Sequence, residues 1–428
     1  MMNIVEPFPL DQAAFRRPGS LFSRKLGHSL PLKAAALLLF TILVLFLRRP
    51  GQFSNPYLWV EDGTLTLRSF ADHGAYILVE PLSGYHVFAS KLLSFVAFRL
   101  SALHAPAVEA TLAVIGTCAV ILAIAFSPTH LRFPALCAIA PLLVPTDAEV
   151  FATSAYFFWW VGYLLVLVPL WRSEKQALRF AFLVFGGVSS PLVPSIALIQ
   201  IVRAALERTW TEIAAAVAAA ALTAFQLGTL LSYHAAGNAS SLTVPTVISA
   251  VNKFTGYFIL SSFSSGNAKF YFASSAICAV LLTITWLVRK KLDRYFLLLA
   301  MSYALICGSV IWRSPIEVIH PFLAGERYFF YPFGLLMWIS IWLAALSPSV
   351  VGMAFVGLLG LSLSLLGGRF QFGQDHSNWG EILLTCARSD GAEVNDIPIF
   401  YYNGKTHPDW HLKLTGDQCR HLISQSIF

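Results

Sequence analysis

Charge is what this sequence has least of. Charged residues make up 12% of its 428 positions, where soluble domains carry about 25%. Hydrophobic residues fill 57%. A chain so short of charge cannot coat a water-facing globule, so it reads as an integral membrane protein. Several motifs are also missing. The six cysteines include no CxxC pair, which argues against a structural zinc site. No HExxH or other tight ligand spacing supports a metal site. There is no internal repeat and no low-complexity stretch. No small-residue cleavage pattern closes the first apolar run at Leu47; "RRPG" follows it. Residues 1–30 are polar and basic (Arg16, Arg17, Arg24, Lys25) and read as a cytoplasmic tail before an uncleaved anchor helix. The formal net charge of +7 is read as a matter of topology, and no nucleic-acid partner is expected.

What is present is a series of apolar runs. A spanning helix needs about 20 apolar residues. Candidates lie at 31–48, 85–103, 107–126, 133–146, 154–171, 177–205, 210–232, 270–288, 295–312, 327–345 and 349–367, about eleven spans. The run 133–146 is short, and "SSPLVP" interrupts 177–205, as a kink or a re-entrant pair would. Lys and Arg in short loops mark the cytoplasmic side. "RRPGSLFSRK", "WRSEKQALR" and "VRKKLDR" therefore belong together. The loop 49–84, the loop 233–269, "RSPIEVIHPFLAGER" (313–327) and the tail after 367 fall on the outer face. Parity between 104 and 154 then requires that 133–146 be re-entrant or that 177–205 not be a single span. Arg48 and Arg49 sit on the wrong side and are expected to snorkel to headgroups.

The fold class expected is an all-α polytopic membrane protein with a small C-terminal α+β appendage. Its parts are a tail (1–30), a membrane domain (31–367) and the appendage (368–428). In "HSNWGEILLTCARSDG" (376–391), Trp379, Ile382, Leu383 and Cys386 share one helix face, and Asn378 with Glu381 resembles a capping box. "IPIFYYNGKTHPDWHLKL" (397–414) reads as a hairpin around "NG". If that side is oxidising, Cys386 and Cys419 could pair, a matter of distance that the sequence leaves open. The other four cysteines lie in apolar runs and read as small hydrophobes.

Carboxylates concentrate in the loop 49–84: Glu61, Asp62, Asp72 and Glu80. A charge at the bilayer centre costs at least about 2.5–3.5 kcal/mol, so these belong outside the hydrocarbon. "LTLRSFADHG" (65–74) places Leu67, Phe70 and Ala71 on one face and ends at Gly74, which reads as a short interfacial helix. Asp62 is either its N-cap or a carboxylate facing a cavity. Glu61 is either a solvated loop residue or a partner in that cavity.

With those residues in view, a resemblance can be stated. "WVEDG" (59–63), followed by "ADHG" and "PLSGYHVFASKL", looks like a stretch in a group of bacterial membrane proteins of the glycosyltransferase C (GT-C) kind. "SSPLVPSIAL" (189–198), "GERYFFYP" (325–332) and "IPI" (397–399) resemble later features of that group. The resemblance spans most of the chain through short motifs. It implies a GT-C-like fold in a bacterial inner membrane, with the N-terminus cytoplasmic and the C-terminus periplasmic. It also implies transfer of a sugar from a polyprenyl-phosphate donor to a cell-envelope glycan or glycolipid acceptor. The acidic pair of that group corresponds to Glu61-Asp62, either of which would be the base.

The chemistry assigns the remaining candidates. Arg327, at a helix end, would bind the donor phosphate, or else anchor the helix at the interface. Lys91, inside an apolar run, would snorkel or meet a phosphate or a carboxylate. Glu80, Tyr85, His86, Glu149 and Tyr328 would contact substrate. "YFFWW" (156–160) suits a sugar platform or an aromatic belt. Glu61, Asp62 and His86 are also suitable ligands for a divalent metal, though none is assigned. The rival reading is a non-enzymatic transporter or flippase of a lipid-linked glycan. The absence of a matching broken helix in a second half weighs against it.

Overall fold

A computed structural model describes residues 29–146, 148–233, 243–260, 268–316, 319–321, 325–346, 377–399, 401–402, 405–406 and 410–428. The N-terminal tail, the run 349–367 and the "NG" dipeptide lie outside the described residues. Among the described residues, six helices are long and apolar enough to cross a membrane: Leu30–Arg48, Ala105–Phe126, Trp210–Ser232, Lys269–Lys291, Arg294–Arg313 and Glu326–Leu346. Shorter apolar helices run Pro134–Leu143, Phe157–Leu170 and Gln176–Gly187. The chain is thus a multi-pass helical membrane protein.

In chain order the helices are α1 (Ser29–Arg48), α2 (Pro50–Ser54), α3 (Arg68–His73), α4 (Phe88–Leu100), α5 (Ala105–Phe126), α6 (Pro134–Ile139) and α7 (Phe157–Leu167). There follow α8 (Gln176–Gly187), α9 (Val193–Glu207), α10 (Trp210–Ser232), α11 (Val244–Leu260), α12 (Ala268–Val288), α13 (Arg294–Arg313) and α14 (Phe330–Leu346). Local chemistry sets several starts. Thr209 caps α10 by accepting from the Glu212 amide, and Asp293 caps α13 by accepting from Tyr295 and Phe296. α7 and α14 approach closely because each offers a glycine to the other's tyrosine: Gly162 faces Tyr331, and Gly334 faces Tyr163.

The 22 residues of α5 span about 33 Å and separate two faces. At its far end, the His130 amide bonds Leu170 O and the Arg172 amide bonds Pro128 O, both at 2.8 Å. Arg132 reaches Asp293 at 3.8 Å, and His130 stacks on Tyr295. "WRSEKQALR" and "VRKKLDR" therefore do share one face, as their charge requires. A buried network reinforces it: Arg179 and Arg203 both pair with Glu212, at 2.5 and 2.9 Å.

At the opposite face one expected span differs, and the break expected in 177–205 is present. The run 85–103 does not cross. α4 is 13 residues long; the segment before it is held by Arg313, at the end of α13 away from the basic face, through Ser83 O, and its last turn is held by the C-terminus, where Ile427 and Phe428 bond Arg99 O and Leu100 O. The run 177–205 is two helices, α8 and α9, which both pack on α10. The segment 134–143 rises from the basic face to a loop whose described residues, 144–146 and 148–156, are buried. These changes remove the parity conflict. Arg48 and Arg49 do not snorkel. Both are fully buried and donate to carbonyls of that loop: Arg48 to Val144 and Thr146, Arg49 to Ala148 and Glu149. A guanidinium has enough donors to satisfy several loop carbonyls at once.

The C-terminal unit holds the helix Trp379–Arg388, the helix Gly416–Gln425, and two antiparallel pairs. Val394–Pro398 pairs with His411–Thr415, and Tyr401–Tyr402 pairs with Lys405–Thr406 as the expected hairpin arms. Asn378 caps the first helix and a full Thr415–Gln418 capping box opens the second. Cys386 and Cys419 form a disulfide. This unit shares one apolar core with the loop: Leu58, Leu67, Phe70 and Phe98 pack with Trp379, Leu383, Ile397 and Leu414. The amphipathic 65–74 segment thus buries its apolar face under protein.

Candidate functional site

The segment after Trp59 begins with a π-helical turn, Asp62–Leu67, which continues into α3 and ends at Gly74 in a positive-φ conformation. Gly63 is needed there because Ile399 of the C-terminal unit lies 2.7 Å from where a Cβ would be. The turn sends its two carboxylates to different places. Glu61 is half-buried and lines a cavity of about 610 Å³. Asp62 is buried and does not line it. Nor is it a helix cap, since it lies inside the first turn. Burial pushes its carboxyl well above the usual carboxylate range; Glu109 and Glu61 add to the rise, and Ser154 and the Trp59 backbone offset part of it.

One end of the cavity is polar. The Tyr156 hydroxyl donates to Glu61 Oε1 at 2.6 Å and accepts from Arg327 Nη1 at 2.9 Å. The same Nη1 pairs with Glu149 at 2.5 Å. Among the described residues, Nε and Nη2 of Arg327 make no hydrogen bond, so they remain for a ligand. Arg313 also lines this end, with its guanidinium 4.8 Å from the Tyr85 ring centroid and one nitrogen bonded to Ser83 O at 3.1 Å. Tyr328 and Trp159 complete the wall. The rest of the lining, from α9, α10 and α13, is largely apolar. Leu198 and Trp312 belong to that lining and remain 52% and 56% exposed. The lining therefore reaches the bundle's apolar flank.

The structure gathers Glu61, Tyr85, Arg327 and Tyr328 around the cavity, with Glu149 behind Arg327. It sets others apart. Lys91 is buried and donates to Glu80 O at 2.5 Å. The Glu80 carboxylate accepts from Ser69 and lies 3.6 Å from His73. His86 stacks on Phe225 and bonds Thr229 at 3.0 Å, so Glu61, Asp62 and His86 do not form a metal site. No three His, Cys, Asp or Glu side chains gather to hold an ion among the described residues. "YFFWW" is no belt: Tyr156, Phe157, Trp159 and Trp160 are buried, Phe158 largely so.

Tyr156, Arg313 and Glu109 were not singled out from sequence. Tyr156 was hidden in an aromatic run, and Arg313 looked like an ordinary helix-end cation. Glu109 carried a usable signal as a lone carboxylate in an apolar run. No protein-family model, curated protein or solved structure matches this chain.

Proposed function

We propose that the protein is a membrane glycosyltransferase that moves a sugar from a polyprenyl-phosphate donor to a glycan or glycolipid acceptor at the cavity face. The observation that carries this reading is the cavity's polarity. Glu61, Arg327 and Arg313 line the cavity together with a largely apolar surface from α9, α10 and α13, and Leu198 and Trp312 of that surface are exposed at the bundle's flank. Such a lining suits a ligand with an anionic head and a long apolar tail. The head would meet Arg327 through Nε and Nη2, and Arg313 beside it. The tail would leave into lipid.

In the reaction, the acceptor oxygen bonds the anomeric carbon while the carbon–oxygen bond to phosphate breaks. Phosphate leaves with the electron pair and is stabilised by the two guanidinium groups. The acceptor proton passes to Glu61, the carboxylate that lines the cavity. A single displacement of this kind inverts the anomeric centre. Tyr156 orients Glu61 and links it to Arg327, so base and phosphate site keep a fixed separation. Asp62, outside the cavity, has no direct part. The membrane is taken to be a bacterial inner membrane with this face periplasmic.

The test uses purified protein in lipid with radiolabelled polyprenyl-phosphate sugars and membrane glycolipid extracts. Glu61→Gln should abolish transfer and keep donor binding, and Arg327→Ala should weaken donor binding. Donor binding or translocation with no transfer, indifferent to Glu61→Gln, would instead establish the transporter reading.

A further inference from the structure

Lys91 has no part in the transfer step, yet it is a costly residue to keep. It is 3% exposed, and its hydrogen bond goes to a backbone carbonyl, Glu80 O, at 2.5 Å. Burial lowers its pKa from 10.5 to about 8, against the pull of Glu80, so the ammonium is charged at neutral pH. Burying a charge is unfavourable unless a specific partner answers it. An apolar side chain of the same length would fill this space at less cost. What the ammonium holds is therefore informative.

Glu80 begins a strap, 80–88, that joins the short helix Gly74–Leu78 to the start of α4. Its tip is a tight turn. Leu82 N bonds Tyr85 O at 2.8 Å, and Tyr85 N bonds Leu82 O at 3.0 Å. Ser83 and Gly84 both have positive φ, 51° and 84°, the pair of conformations a type I′ turn requires. The outgoing leg is well tied. Gln226 exchanges two bonds with the His86 backbone, both 3.0 Å, and Phe88 N bonds Val188 O at 3.3 Å. The incoming leg has less to offer, because Pro81 carries no amide hydrogen. There the Glu80 amide bonds Tyr76 O at 3.2 Å, and the Glu80 carbonyl is taken by Lys91. Lys91 thus closes the base of the strap from the first turn of α4.

The tip of the strap belongs to the cavity. Leu82, Ser83 and Tyr85 line it. The same turn touches Arg313 twice: Ser83 O accepts from its Nη2 at 3.1 Å, and the Tyr85 ring centroid lies 4.8 Å from its guanidinium. A planar guanidinium held at its edge by a carbonyl and at its face by a ring keeps one orientation. We propose that Lys91 is a positioning residue: by clamping the base of the 80–88 strap, it fixes the turn that sets the Arg313 guanidinium in the cavity wall. Lys91 touches no substrate itself. Its role rests on the reading of Arg313 as a phosphate ligand.

The test titrates the full chain in lipid nanodiscs with sugar-free polyprenyl phosphate. It compares the parent, Lys91→Met, Arg313→Ala and the double variant. Methionine keeps the length and removes a buried charge, so the melting temperature should not fall. Lys91→Met should weaken lipid-phosphate affinity about tenfold, an ordinary coupling within one network. It should add nothing once Arg313 is alanine. Hydrogen exchange should rise at 82–88 and stay unchanged in α10. Should Lys91→Met not fold, Gly84→Ala strains the tip at positive φ and should show the same dependence on Arg313. An equal loss of affinity in both backgrounds marks general loosening and overturns the proposal. So does unchanged affinity, or unchanged exchange at 82–88, when the parent binds. A parent that binds no polyprenyl phosphate overturns the phosphate reading of Arg313 first, and this role with it.

Discussion

At the residue scale, the decisive fact is that two adjacent carboxylates part company. Glu61 turns into the cavity and bonds Tyr156, while Asp62 turns into the protein beside Glu109. Tyr156→Phe removes the bridge between base and cation and leaves the ring in place. The expected outcome is a drop in transfer rate of roughly 10–100-fold with donor affinity nearly unchanged, read from single-turnover transfer and donor titration. On the basic face, His130 gives a pH-dependent prediction. Burial, and after it Arg172, Arg203, Arg294 and Arg132, lowers its pKa from 6.5 to about 4. The folded chain therefore favours the neutral ring, and between those values the unfolded chain binds more protons. The contribution to stability is complete above 6.5 and is lost as pH falls towards about 4. His130→Phe keeps the stacking on Tyr295 and should flatten the melting-temperature profile across that window.

At the element scale, the α7–α14 contact and the buried residues of the loop 144–156 set the cavity's wall. Gly162 and Gly334 are the points of closest approach, each against the other helix's tyrosine. A methyl group at Gly162 would have to displace the Tyr331 hydroxyl. Gly162→Ala is thus expected to destabilise by about 1–3 kcal/mol through overpacking, measured as a fall in melting temperature in detergent. Arg48 and Arg49 act on the loop itself. The sequence marked them as misplaced charges, and that anomaly was informative, but the answer lay about a hundred residues away in the carbonyls they hold. The helix Trp379–Arg388 was legible almost residue by residue because its face and cap are local. α4 was not, because a 13-residue apolar helix beside a membrane looks like part of a span until its ends are placed.

At the scale of the whole molecule, the C-terminal unit is seated on the segment that carries Glu61 and Asp62. Ile399 packs on Gly63, Gln418 bonds Asp72 at 2.6 Å, and the Trp379 indole donates to Ala102 O at 2.8 Å. The disulfide Cys386–Cys419 closes a loop with a sequence separation of 33, worth roughly 4 kcal/mol in the chain-entropy account. Cys419→Ser should therefore lower the unit's stability and loosen the 58–105 segment. Hydrogen exchange should rise there, with α12 and α13 unaffected; unchanged exchange at 58–73 would separate the unit from the site.

The sequence by itself determined the solvent this protein lives in, the face its basic loops share, the C-terminal unit's elements and the position of its acidic loop. These follow from composition and short-range periodicity, which act over one or two turns of chain. Only the tertiary structure decided which carboxylate meets the cavity, that Tyr156 joins Glu61 to Arg327, and that Arg48 and Arg49 serve a loop rather than lipid. Those outcomes depend on contacts between residues eight or more helical turns apart in sequence, where burial and hydrogen-bond satisfaction are settled by packing and not by neighbours along the chain.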